Sequence, residues 1–81
     1  MKIRLLFFAV LRDLFQSSEQ IMEAPDGTTV GEVAQRVFSS RDEAIFLKET
    51  ICFAVNCSYV SPAHTLRDGD EVAFIPPVAG G

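Results

Sequence analysis

The sequence contains no tryptophan, one histidine (His64), one tyrosine (Tyr59) and two cysteines (Cys52 and Cys57). Two thiols and one imidazole are too few for a closed zinc site, which takes four protein ligands. The cysteines are spaced C-x4-C rather than C-x-x-C, so the expected state is two reduced thiols in or beside a strand. His64 lies in the turn-rich stretch Ser61-Pro62-Ala63-His64-Thr65 with no nucleophile next to it, and reads as a solvated loop histidine. Positive charge is also scarce: 7 Lys and Arg against 11 Asp and Glu give a net charge of −4. A partner with a phosphate backbone needs a basic stripe, so no nucleic acid is expected, whereas a basic protein surface suits this charge. Asp68, Asp70 and Glu71 cluster around Gly69 but lack the twelve-residue register of a calcium loop, and read as a solvated acidic turn. Gly27 and Gly69 serve turns and cradle no phosphate. No metal and no bound cofactor are expected.

Long apolar runs are absent as well. Leu5 to Leu11 is the most hydrophobic stretch, far too short to span a bilayer. It leads into Arg12-Asp13 rather than a small-x-small cleavage site, so it reads as a core strand and not as a signal peptide. No membrane partner and a cytoplasmic location are the resulting expectations.

What is present is a core. With 81 residues the chain is one small domain, and 48% hydrophobic residues, seven of them Phe, can close it without staples. Lys2 to Phe8 alternates as a strand, with Ile3, Leu5 and Phe7 on one face and Arg4, Leu6 and Phe8 on the other. Ala9 to Phe15 suits a short helical turn, Ser17 to Ala24 a returning strand, and Pro25-Asp26-Gly27 the turn that closes it. Thr29 and Glu32 form a capping box, in which the hydroxyl takes an early helical N–H and the carboxylate reaches back. Val30, Val33, Ala34, Val37 and Phe38 then form one apolar stripe at helical spacing. Arg41 to Leu47 reads as a loop with a second short helical turn. Ile51 to Val55 reads as a strand, Asn56-Cys57 as a tight turn, Ser58 to Val60 as a short return strand, and Glu71 to Ile75 as the last strand.

This order predicts an α+β fold with a mixed five-stranded sheet, one main helix on one face, and the first and last strands side by side. A β-grasp roll has that layout; a ferredoxin-like split βαβ needs a second long helix, for which Arg41 to Thr50 is too short. The domain is expected over residues 1–75, with 76–81 as an extended functional tail. Pro76-Pro77 must stop the strand, because proline donates no ladder hydrogen bond, and two prolines favour a stiff extended path. Beyond them, Gly80-Gly81 presents an α-carboxylate free of nearby side chains, able to enter a slot shaped for backbone alone. Two glycines by themselves read more readily as a frayed end. The proline brake, and the lack of an active-site constellation elsewhere, favour Gly81 as the reacting residue and Gly80 as its lead-in. A carboxylate is a poor electrophile, so it would need activation, most simply by adenylation with ATP on a separate enzyme.

The ending Asp68-Gly69-Asp70-Glu71-Val72-Ala73-Phe74-Ile75-Pro76-Pro77-Val78-Ala79-Gly80-Gly81 closely resembles that of the small, sulfur-carrier subunit of molybdopterin synthase. Leu6-Phe7-Phe8-Ala9-Val10-Leu11-Arg12-Asp13-Leu14 resembles the opening signature of that family, and Ala54-Val55-Asn56 its middle strand and turn. The resemblance implies a ubiquitin-like β-grasp fold and a role in molybdenum cofactor synthesis. It implies that Gly81 is adenylated by an ATP-dependent activating enzyme, converted to a thiocarboxylate, and inserted into the synthase large subunit to donate sulfur to cyclic pyranopterin monophosphate. The expected assembly is a heterotetramer with the large subunit, which carries the catalytic pocket. Phe8, Arg12, Tyr59 and Ile75, with the tail residues Pro76, Pro77, Val78 and Ala79, are the expected partner interface; for Tyr59, a partly buried edge position is an equal alternative. A ubiquitin-like modifier of lysine side chains and a thiamine-pathway sulfur carrier share the tail chemistry and stay open as alternatives.

Overall fold

The computed structural model describes residues 1–39 and 50–76. The helical turn expected within 41–47, and tail residues Pro77, Val78, Ala79, Gly80 and Gly81, lie outside the described residues.

Alternation sets the first strand. In β1 (Lys2–Phe7), Ile3, Leu5 and Phe7 are buried while Lys2 and Arg4 are exposed. The strand stops one residue short of the expected Phe8, because the Phe8 carbonyl leaves the ladder to accept from Leu11 N at 3.0 Å. That turn starts α1 (Val10–Phe15), which drops Leu11 into the core and ends at Gln16 in the left-handed region. Next, β2 (Glu19–Glu23) returns antiparallel to β1, pairing Lys2 with Glu23 and Leu6 with Glu19. Ser17 stays out of the strand because its hydroxyl folds onto Glu19, donating to the Glu19 carbonyl at 2.7 Å.

The main helix, α2 (Val30–Phe38), begins at the expected capping box: Glu32 N donates to Thr29 Oγ1 at 3.2 Å, and Thr29 N to Glu32 Oε1 at 3.0 Å. A helix leaves its first N–H groups without internal partners. Here Val30 N and Gly31 N donate to the carbonyls of His64 (2.9 Å) and Pro62 (2.8 Å). The loop around His64 thus finishes the helix through its backbone, while the imidazole is exposed. Gly31 permits this approach, since a Cβ there would lie 3.1 Å from the Pro62 carbonyl oxygen. All five stripe residues of α2 are buried.

β3 (Cys52–Val55) and β4 (Ser58–Val60) form a hairpin, and β5 (Glu71–Ile75) closes the sheet in the order β2-β1-β5-β3-β4. β5 is central, parallel to β1 and antiparallel to β3. With one helix across one face of this mixed sheet, the architecture is the expected β-grasp. The Asp68-Gly69 turn that feeds β5 is more than a solvated acidic edge. Asp68 Oδ1 accepts from Lys2 N at 2.7 Å, and Asp70 accepts from Arg67 N at 2.8 Å and Asn56 Nδ2 at 3.0 Å. Asn56 Oδ1 in turn accepts from Glu71 N at 3.0 Å. These carboxylates sit where three backbone segments meet, so they satisfy N–H groups and fix where β5 begins.

Phe74 is the hub of the core. Its ring lies 5.7 Å from Phe7, 5.4 Å from Phe38 and 5.9 Å from Phe53, the last two edge-on. Such offset and edge-to-face contacts add to burial. No polar or charged side chain is buried among the described residues.

Candidate functional site

The sheet face opposite α2 follows from the register. Leu6, Ala73, Ala54 and Tyr59 stand in one row across β1, β5, β3 and β4. Ile75 and Cys52 pair in the next row, and Phe8 follows Phe7, the partner of Phe74. Phe8 and Ile75 therefore step onto the same face at the same end. Parallel strands place both their C-terminal ends together, so the end of β1 flanks the point where β5 becomes Pro76 and the tail.

Phe8 is 46% exposed and Tyr59 75% exposed, so Tyr59 stands out from the sheet rather than sitting as a partly buried edge residue. Ile75 is half-buried and Arg12, on α1, is exposed. Pro76 ends the strand and is itself buried, so packing continues one residue beyond β5. Tyr59 is not a neighbour of Phe8: three inter-strand spacings of about 4.8 Å separate their strands, roughly 14 Å. Leu6, Ala73 and Ala54 fill the gap. Two small side chains there keep the middle of the face flat.

Val10 (45% exposed) and Ile21 (61%) add to the exposed apolar surface. Sequence reasoning missed both as surface residues. Val10 sits in a helical turn too short to show a periodic face, and the orientation of Ile21 depends on the β1–β2 register. Charge borders this face at its far end: Arg4, on the same face as Ile21, bridges to Glu71 at 3.1 Å and Glu19 at 3.5 Å. Both pairs are solvent-facing, so they mark a polar rim rather than a source of stability.

The corner at the end of β1 is conformationally unusual. Ala9 has φ 51 and ψ −125, and with the Phe8 carbonyl accepting from Leu11 N it occupies the second position of a type II′ turn. Glycine is favoured there; an L-residue costs about 1–3 kcal/mol. Asn56 (φ 50) and Cys57 (φ 73) show the paired positive values of a type I′ hairpin turn, as expected of Asn but not of Cys.

Among the described residues the side chains of His64, Cys52 and Cys57 are all exposed. No group of three or more His, Cys, Asp or Glu side chains there could hold a metal ion. Cys52 and Cys57 are free and exposed, on β3 and in the hairpin turn respectively. A polar cleft of about 310 Å³ is lined by Asn56, Ser58, His64, Arg67 and Asp70, but Asn56 and Asp70 are spent on backbone hydrogen bonds. No helix among the described residues is long and apolar enough to cross a membrane. The described residues form a sheet whose outer face carries the exposed side chains of Phe8, Ile21 and Tyr59 and whose last strand ends at Pro76.

Comparison with known proteins gives the same class, a small ubiquitin-like β-grasp protein. Residues 5–81 match the model of the ThiS family, and the chain belongs to that family. It is 42% identical to the molybdopterin synthase sulfur carrier subunit of Escherichia coli (strain K12), over 98% of this chain and 99% of that protein. The subunit of the same description from Chlamydomonas reinhardtii is 36% identical, with both chains covered in full (100%). Among solved structures, a putative molybdopterin converting factor subunit 1 from Pyrococcus furiosus superposes with a TM-score of 0.82 at 29% identity, covering 96% of this chain and 99% of that one.

Proposed function

We propose that this chain is the sulfur-carrier subunit of a molybdopterin synthase. The observation that carries the proposal is the parallel pairing of β1 with β5 in a chain matched end to end by sulfur-carrier subunits. That pairing sets exposed Phe8 and half-buried Ile75 beside the origin of the tail, so a partner gripping this face receives the tail at the same time.

The chemistry follows from the tail. The Gly81 carboxylate oxygen attacks the α-phosphorus of ATP on an activating enzyme, pyrophosphate leaves, and an acyl adenylate forms. A sulfide-equivalent nucleophile then displaces AMP and leaves a thiocarboxylate. The anionic sulfur is the nucleophile, as in a thiolate. Inside the large subunit this sulfur bonds to a side-chain carbon of the bound cyclic pyranopterin monophosphate and displaces the oxygen substituent there, the C–O bond breaking, and water then hydrolyses the acyl–sulfur bond to return the carboxylate. Two such transfers build the dithiolene. Gly80 keeps the approach narrow, and Pro76 and Pro77 limit the chain entropy lost when the tail is ordered. Phe8, Tyr59 and Ile75 provide the apolar contact, and Arg12 a charged one beside it. The catalytic pocket and all binding of pterin and phosphate belong to the large subunit; this chain binds no cofactor.

Intact-mass analysis tests this. Incubation with an activating enzyme, ATP and a sulfide source should add the mass of one oxygen-to-sulfur exchange, and deleting Gly81 should abolish the gain while leaving the melting temperature unchanged. No mass change, under conditions that load a known carrier, would refute the proposal.

A further inference from the structure

The chain contains two Asp–Gly turns that match in backbone and differ in hydrogen bonding. In the first, Thr28 N donates to the Pro25 carbonyl at 3.2 Å across Asp26 and Gly27; in the second, Asp70 N donates to the Arg67 carbonyl at 3.1 Å across Asp68 and Gly69. Gly27 has φ 88 and Gly69 φ 87, and neither aspartate has a positive φ, so both are type II turns. All four residues are exposed, and the space beside both glycines is open. Both turns lie at the end of the sheet where β1 begins, away from the tail: Ala24 N donates to the Met1 carbonyl at 2.9 Å, and Gly69 N to the Lys2 carbonyl at 2.8 Å. That last bond marks the difference. The Asp68–Gly69 unit is pinned to β1 twice, by Gly69 N on the Lys2 carbonyl and by Asp68 Oδ1 accepting from Lys2 N at 2.7 Å. Among the described residues, the Gly27 N–H and the Asp26 carboxylate have no hydrogen-bond partner.

We infer that Asp26 is a site of spontaneous isoaspartate formation in the folded protein and that Asp68 is protected from it. The Gly27 nitrogen bonds to Asp26 Cγ; its proton and the carboxyl hydroxyl leave as water, closing a succinimide ring. Water then reopens the ring. Attack at the main-chain carbonyl breaks its bond to the Gly27 nitrogen and leaves the chain running through Cγ, as isoaspartate; attack at Cγ restores aspartate. Ring closure needs a free amide nitrogen and a rotation of the Asp–Gly peptide out of its type II setting. Glycine permits both, having no Cβ to block the approach or confine φ. At Gly27 the peptide plane turns over with the Thr28–Pro25 bond kept, since types I and II share that bond. At Gly69 the same rotation breaks the bond to the Lys2 carbonyl, and ring closure takes Asp68 Oδ1 from Lys2 N. Two hydrogen bonds of ordinary net strength slow the reaction there by about 5- to 150-fold. The product at Asp26 adds a methylene to the main chain just before Thr28, whose carbonyl accepts from Leu66 N at 2.9 Å. It also sets a free α-carboxylate on an exposed turn, the group that a carboxyl-methylating repair enzyme esterifies. The inference does not depend on the reading under Proposed function.

Ageing the full-length protein tests this, folded in neutral buffer and, in parallel, unfolded in guanidinium chloride. Electron-transfer fragmentation of its peptides distinguishes isoaspartate from aspartate at each position. Methyl incorporation by an isoaspartyl methyltransferase with S-adenosylmethionine reads the total. In the folded protein, isoaspartate should accumulate at Asp26 about 5- to 150-fold faster than at Asp68. In denaturant, where the Lys2 contacts are gone, the two rates should converge. Asp26→Glu should remove most methyl incorporation from the folded protein, because a larger ring then has to close. Equal rates at the two turns of the folded protein, or a faster rate at Asp68, overturn the inference. A gap that persists undiminished in denaturant also overturns it, since local sequence and not hydrogen bonding then sets the rates. So does a folded Asp26 that stays intact while the denatured chain converts at both positions, or methyl incorporation that survives Asp26→Glu.

Discussion

Phe7 and Phe8 are adjacent, chemically identical and opposite in role, so truncating each to alanine tests the face assignment directly. Phe7 is 2% exposed and stacks on Phe15 at 4.7 Å and Phe74 at 5.7 Å. Removing a buried Phe ring costs about 3–5 kcal/mol, combining lost transfer energy with the cavity left behind. A domain of 81 residues has roughly 4–12 kcal/mol in total at the usual stability per residue, so Phe7→Ala stands at the edge of folding. Phe8, 46% exposed, surrenders only about half of a full burial, on the order of 1 kcal/mol or less. Urea unfolding reads the difference. With a slope near 1 kcal/mol/M, the midpoint should fall by about 3 M or more for Phe7→Ala and by less than about 1 M for Phe8→Ala. Should Phe7→Ala fail to fold, Phe7→Leu keeps most of the volume and should cost roughly 1–1.5 kcal/mol. Binding to the large subunit should reverse the order: Phe8→Ala weakens it at least about tenfold, whereas folded Phe7→Leu binds as the parent does. Equal destabilisation by the two alanine variants, within about 0.5 kcal/mol, would refute the assignment of faces.

Two local features are testable by thermal or urea melts. Cys57→Gly should stabilise by about 0.5–1 kcal/mol, the relief of a left-handed non-glycine residue less the extra unfolded-state entropy of glycine; a loss would show that the hairpin is not held by a type I′ turn. Thr29→Ala should destabilise by about 1 kcal/mol through loss of the cap on Glu32 N, and an unchanged midpoint would show that the His64 loop alone secures the start of α2.

Much of the fold was legible because its signals are local. The stripe Val30, Val33, Ala34, Val37 and Phe38 needs only the helical period, and the Thr29–Glu32 box needs only three residues of spacing. Strand parity separated Phe7 from Phe8 and placed Val72 and Phe74 together. The candidate interface was legible in part, since parity exposes Phe8 and puts Ile75 opposite the core set. Val10 and Ile21 were not, because their exposure depends on a turn and a pairing that no short window contains. The acidic turn was underestimated for the same reason: Asp68 and Asp70 meet their backbone partners only after Lys2 and Asn56 are brought alongside.

The sequence by itself determined the elements, the core set and, through its matched ending, the family. Each depends on residue type and spacing along the chain. Tertiary structure decided that β1 and β5 run parallel side by side, that the strand of Tyr59 lies roughly 14 Å across the sheet from the strand that leads to Phe8, and that Ala9 turns a strained corner next to the origin of the tail. These follow from strand register and from buried anchors pulling on the chain from both sides. Such forces act between residues as far apart as Phe7 and Phe74, so they exist only once the sheet has closed.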